Sequence, residues 1–224
     1  MNWRFWSGAF GLGFVALNLA AFGTYGVAGV PPAVDDSAKL TAYFAKNASL
    51  FLTIATLATV AVGFLFVWLL GIRGVLRGAG DEHEWAGTFT FGVGLVVATI
   101  NFVGFGLFAA VALESGVAKP DAAVLRTLYQ AVTGLTGPLL SIPVAFFLAA
   151  AAYGTLTSRA LPRWTGWLGW VAAALNAAAV PAIFGGLDPN AFYSAAGFAP
   201  IVLGLVPLLV YVLGTSVALM RSKG

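Results

Sequence analysis

Residues Trp164–Gly186 read WTGWLGWVAAALNAAAVPAIFGG, an uncharged stretch that opens on three tryptophans, carries one asparagine near its middle and closes on two glycines. An α-helix rises 1.5 Å per residue, so about 20 apolar residues cross a hydrocarbon core about 30 Å thick, and this stretch suffices. Its Trp-x-Gly opening occurs twice earlier, at Trp6 and Trp85, and the three tryptophans stand at two equal intervals.

The chain divides into five more uncharged runs: Phe5–Val34, Asn47–Ile72, Trp85–Leu113, Thr127–Ser158 and Pro189–Met220. Hydrophobic residues make up 60% of the 224 and charged ones 8%, with a mean hydropathy of +0.95. A soluble domain carries about 25% charged residues, so the composition excludes one. A β-barrel needs runs of about ten residues alternating in polarity, and blocks such as GFLFVWLL do not alternate. The reading is an all-α integral membrane bundle, one domain over residues 1–224. Its six transmembrane helices cover about 6–29, 49–72, 85–113, 127–156, 164–186 and 194–220.

Basic residues set the expected orientation. One side holds Arg4, Arg73, Arg77, Arg159, Arg163, Arg221 and Lys223, the other only Lys39, Lys46, Lys119 and Arg126. The positive-inside rule places the richer side, with both termini, in the cytoplasm. The net charge of +3 is then a matter of topology and does not point to nucleic acid. All seven tryptophans fall near the cytoplasmic boundary, where an indole satisfies both its apolar body and its N–H, so they are expected to be interfacial anchors. Arg4 and the small residues near Ala33 imitate a secretory signal, but the uncharged run is about twice a 7–15-residue h-region and reads as a retained first helix.

The spans pair into three hairpins, each leaving the cytoplasm at a Trp-x-Gly and turning near proline, which suggests a threefold repeat of a two-helix unit. Between the first two spans, DDSAKLTAYFAKN is expected to form a short external amphipathic helix. Asp36 or Ser37 caps it and Leu40, Tyr43 and Phe44 line its apolar face, on the outer leaflet or as a lid. Small residues every fourth position, Gly137, Ser141, Ala145 and Ala149 in span four and Gly169, Ala173 and Ala177 in span five, are expected to bring those helices close. Pro138, Pro143, Pro181, Pro200 and Pro207 interrupt the C-terminal spans and free carbonyls, as ordinary kinks or as the walls of a pocket.

Polar groups within the spans carry the functional expectation, because an unpaired amide in hydrocarbon is costly. Asn18, Asn101, Gln130, Ser141 and Asn176 qualify, and Asn176 is expected to bond across helices to Asn18 or Asn101. The candidate ligand contacts are Asn18, Asn101, Tyr129, Gln130, Asn176 and Tyr193. Chemistry is sparse: there is no cysteine, and the single histidine, His83, lies in a DEHE run with no second histidine to complete a metal set. No metal or cofactor is expected. If the chain were an enzyme, Glu114 and Asp188, ending spans three and five on the outer side, would be its acid and base.

With its six-span layout and its SAKLTAYFAKN segment, the sequence RALPRWTGWLGWVAAALNAAA resembles the small multi-helix membrane proteins of unknown function abundant in high-GC actinobacteria, over most of the chain. The resemblance implies a bacterial inner-membrane protein and carries over no activity or site. Three functions follow as expectations. The first is a non-catalytic module binding a lipid, a hydrophobic small molecule or another membrane protein. The second is a small-solute transporter or channel subunit. The third is an intramembrane enzyme on a lipid or isoprenoid substrate.

Overall fold

The computed structural model describes residues 2–32 and 34–222. Ala33 and Lys223, which entered the signal and charge readings, lie outside the described residues. Seven α-helices carry the fold: α1 (Trp3–Ala28), α2 (Ser37–Arg77), α3 (Glu84–Ser115), α4 (Ala122–Thr136), α5 (Pro138–Ser158), α6 (Arg163–Ala179) and α7 (Val206–Arg221). A 3₁₀ turn at Val180–Gly185 extends α6, and a π-helical turn at Pro200–Leu205 precedes α7. Among the described residues six segments are long and apolar enough to cross a membrane: Trp3–Ala28, Ser37–Arg77, Asp81–Ser115, Ala122–Ser158, Arg163–Gly185 and Pro200–Arg221. No strand occurs among the described residues.

Each span packs on the next in the sequence, and α7 returns to α1, so the six close into a ring. Near the end that carries both termini, Gly8 lies against Met220 and Gly74 against Trp3. The buried apolar side chains fall into two separate cores. One occupies the terminal half and the middle, around Trp68, Leu148, Tyr211 and Leu219. The other occupies the far end, around Leu40, Phe44, Phe51, Leu125 and Tyr129.

The far core corrects the expectation of a separate amphipathic helix. Residues 37–46 are the first turns of α2, continuous with the span that follows, because no glycine or proline interrupts the chain between Ser37 and Ala61. At about 1.5 Å per residue this 41-residue helix is about 60 Å long and outreaches a bilayer. The face expected to meet lipid instead meets protein: Leu40 and Phe44 are fully buried, and the Phe44 ring lies 5.3 Å from that of Tyr129 on α4. Asp36 is the cap, its Oδ1 accepting from the Lys39 N–H at 3.1 Å.

Three further expectations are corrected by the structure. Trp68 is no interfacial anchor. It is fully buried, with its ring 5.9 Å from Phe147 and 6.1 Å from Tyr211, while the other six tryptophans are exposed. α5 and α6 do pack closely, but a Cβ at Gly169 would stand 2.9 Å from Ala152 Cβ, so the α5 contact lies beyond Ala149. Ala177 is exposed, because steps of four residues rotate by about 40° around a 3.6-residue helix and carry the row off the contact face. Span six begins at Pro200, not near 194, since residues 186–198 form irregular turns.

Candidate functional site

Between the two cores lies a cavity of about 280 Å³. Five helices each send at least one polar residue to it, among them Asn18 from α1, Asn101 from α3, Tyr129 from α4, Ser141 from α5 and Asn176 from α6. Four of these were expected ligand contacts, and the structure brings them to one chamber. The rest of the wall is apolar or weakly polar, and among the described residues no Asp, Glu, Lys, Arg or His lines it. A charged solute would lose its hydration here with no partner, so the chamber suits uncharged groups.

Each asparagine satisfies part of its amide locally. The Nδ2 group of Asn18 donates to the Phe14 carbonyl and that of Asn101 to the Val97 carbonyl, both at 2.9 Å. Asn176 does more: its Nδ2 donates to the Ala172 carbonyl at 3.0 Å and, across helices, to the Gly204 carbonyl at 3.2 Å. The interhelical bond expected of Asn176 therefore forms, with a backbone carbonyl of the sixth span in place of Asn18 or Asn101. Gly204 belongs to the π-helical turn that precedes α7.

Proline and glycine shape the same level. Pro138 brings no N–H, so the fourth span divides at Gly137 into α4 and α5. A side chain at Gly137 would meet the Thr133 carbonyl at 2.5 Å and the Ala195 carbonyl at 3.3 Å, so glycine is required there. Pro181 and Pro200 stand in the 3₁₀ and π-helical turns. Gly137, Pro200 and Gly204 all line the cavity. Pro143 stays inside α5 and Pro207 in the first turn of α7.

The floor is aliphatic and rests on an aromatic layer. Leu65, Val144 and Leu208 line the cavity, and one helical turn closer to the termini Trp68, Phe147 and Tyr211 stack edge to face with centroids 5.9–6.3 Å apart. Gly11 allows the trio its place, since any side chain there would collide with Trp68 and Ser216.

The remaining candidates stand elsewhere. Gln130 is half-buried and does not line the cavity, because it points about 100° away from Tyr129 around α4. Tyr193 is exposed and stacks on Phe192 at 5.2 Å. Glu114 Oε1 accepts from the Asp121 N–H at 3.0 Å, while Asp121 caps α4, so Glu114 fastens the α3–α4 turn. Asp188 Oδ1 accepts from the Asn190 N–H at 2.9 Å, and its carbonyl accepts from the Ser194 hydroxyl. Both carboxylates are occupied with their own turns, and neither lines the cavity. His83 Nε2 lies 3.2 Å from Glu82 Oε1, before the start of α3.

Tyr25 and Thr133 also line the cavity and were not singled out from the sequence. Helical spacing carries the signal: Tyr25 follows Asn18 by two turns, and Thr133 follows Tyr129 by one. Fold and site thus define a ring of six membrane-length helical segments around an uncharged chamber. No family model, curated protein or solved structure matches the chain, so the chamber is interpreted from its own residues.

Proposed function

We propose that this is a multi-pass protein of a bacterial cytoplasmic membrane, with both termini in the cytoplasm, that holds an uncharged hydrophobic ligand inside its bundle and leaves it chemically unchanged. The observation that carries the reading is the convergence of Asn18, Asn101, Asn176, Ser141 and Tyr129, from five helices, on one uncharged cavity. Sites of this kind are mostly apolar, with a few placed polar groups that fix orientation. The membrane setting is supported by the six apolar spans and by large exposed side chains such as Val27, Phe146 and Phe184, which water would not favour. The orientation rests on the excess of Arg and Lys at the terminal end, and puts the cavity in the outer half. Trp6, Trp85 and Trp164, exposed on the first, third and fifth spans, support a threefold hairpin repeat.

Native mass spectrometry of the full chain, extracted gently from its own membrane, tests the reading. The expected result is a retained neutral molecule of lipid-like mass that is lost on filling the cavity by Ala58→Phe. A bare protein in repeated mild extractions, from membranes where it is intact, contradicts it. A second reading, a small-solute transporter, is favoured by the three helix interruptions at Gly137, Val180–Gly185 and Pro200–Leu205, two of which reach the cavity wall. Absence of solute flux in proteoliposomes would remove that reading, and flux that survives Ala58→Phe would take the path out of the cavity.

A further inference from the structure

Hydrogen-bonding capacity narrows the ligand. This step rests on the binding reading above and asks what head group the chamber would hold. Asn176 has committed both amide hydrogens to the carbonyls of Ala172 and Gly204, so only its Oδ1 acceptor remains for a ligand. Among the described residues nothing donates to that oxygen, nor to Oδ1 of Asn18 or Asn101. The Asn176 acceptor and the Ser141 hydroxyl flank Gly204: a methyl built there would stand 3.7 Å from Asn176 Oδ1 and 3.0 Å from Ser141 Oγ. Ser141 can both donate and accept, whereas Asn176 Oδ1 can only accept, and an acceptor facing an apolar cavity without a donor is costly.

The wall has one weak seam. α1 packs on α2 and, near the termini, on α7. Its other half, through Asn18, Phe22 and Tyr25, faces the Pro200–Leu205 turn across the cavity without extensive packing between them. Phe22 on one side of this seam and Val202 on the other are exposed apolar residues, as a lipid-facing opening requires.

We propose that the chamber takes an uncharged lipid-phase alcohol, its hydroxyl donated to Asn176 Oδ1 and its chain leading out between α1 and Pro200–Leu205. An ester or ether head offers only acceptors and leaves Asn176 unmet. A carboxylate or ammonium head would bring an unpaired charge into a site with no counter-ion.

The test compares dodecanol with dodecyl methyl ether on the delipidated full-length protein, by titration read in native mass spectrometry. The two probes share a chain and differ in the donor hydrogen. The alcohol is expected to bind at least about tenfold more tightly, the ratio that about 1.4 kcal/mol of hydrogen bonding supplies. Asn176→Leu is expected to remove that preference. Because this change also removes the bond to Gly204, Ile201→Trp serves as a second variant that obstructs the seam while keeping every polar group. It is expected to weaken both probes by similar factors.

Equal affinities in the unaltered protein overturn the inference and leave the binding reading standing. Retention of neither probe overturns both. A preference that survives Asn176→Leu overturns the assignment to Asn176, and undiminished binding in Ile201→Trp overturns the exit along the seam.

Discussion

The terminal half of the bundle and the far half are built from the same residue types and behave as opposites. In the terminal half the helices run unbroken and approach closely: Gly71 lies against Ser7, Gly11 against Trp68 and Ser216, Gly169 against Ala152. In the far half a Gly-Pro break, a 3₁₀ turn and a π-helical turn hold the spans apart, and an uncharged cavity opens beneath a second small core. Glycine does opposite work in the two. Flanked by regular helix it lets backbones come together; beside proline at Gly137 it ends a helix and helps to keep the chamber open. Composition alone does not tell a packing surface from a binding site. The neighbours of each glycine do.

The sharpest attack on this contrast is Trp68→Ala, which removes the largest fully buried side chain and breaks the aromatic layer it forms with Phe147 and Tyr211 beneath the cavity. A loss of about 3–5 kcal/mol is expected, measured as unfolding in detergent. Gly11→Val comes next, since it forces a side chain into Trp68 and Ser216, with an expected cost of about 1–3 kcal/mol. In the far half the same assay should respond less. Asn176→Leu breaks the bond to Gly204 and is expected to cost about 1 kcal/mol, in the range of interhelical bonds within membranes. Asn101→Ala, whose amide serves only its own helix, should cost about 0.6 kcal/mol or less while reducing ligand retention. A cost for Asn101→Ala as large as that for Gly11→Val would erase the distinction between the halves.

The smallest effect concerns the cap of α2. Lys39 bonds the Asp36 carboxyl and holds it below the usual carboxylate range. A carboxyl whose folded pKa is lowered contributes its stability above its ordinary value of 3.8 and loses it as pH falls through the folded value. Acidification below about pH 4 should therefore loosen the first turns of α2, followed by hydrogen exchange at Lys39 and Leu40, and Asp36→Asn should flatten that dependence.

Much of this was legible in the sequence. Uncharged runs between charged clusters mark six spans, and intramembrane amides mark the chamber, because both follow from the cost of leaving polar groups unmet in hydrocarbon. What differs has two causes. The surroundings of Phe44 and Trp68 depend on helices far away in sequence, since α4 covers Phe44 and α7 covers Trp68. The placement of Gln130 and Tyr193 is local: α4's own rotation turns Gln130 away from the cavity that Tyr129 lines, and Tyr193 stays exposed beside Phe192. Glu114 and Asp188 share polarity and a bundle end, yet local turns claim both.

The measurement that bears most directly on the central claim is an experimental structure of the full chain, held by a rigid fiducial, in nanodiscs formed from its own membrane. Elongated non-protein density is expected beside Asn18, Asn101 and Asn176, ending above the rings of Trp68, Phe147 and Tyr211, with α1 standing clear of Pro200–Leu205. A bundle in which α1 closes onto that turn and side chains fill the space would contradict it.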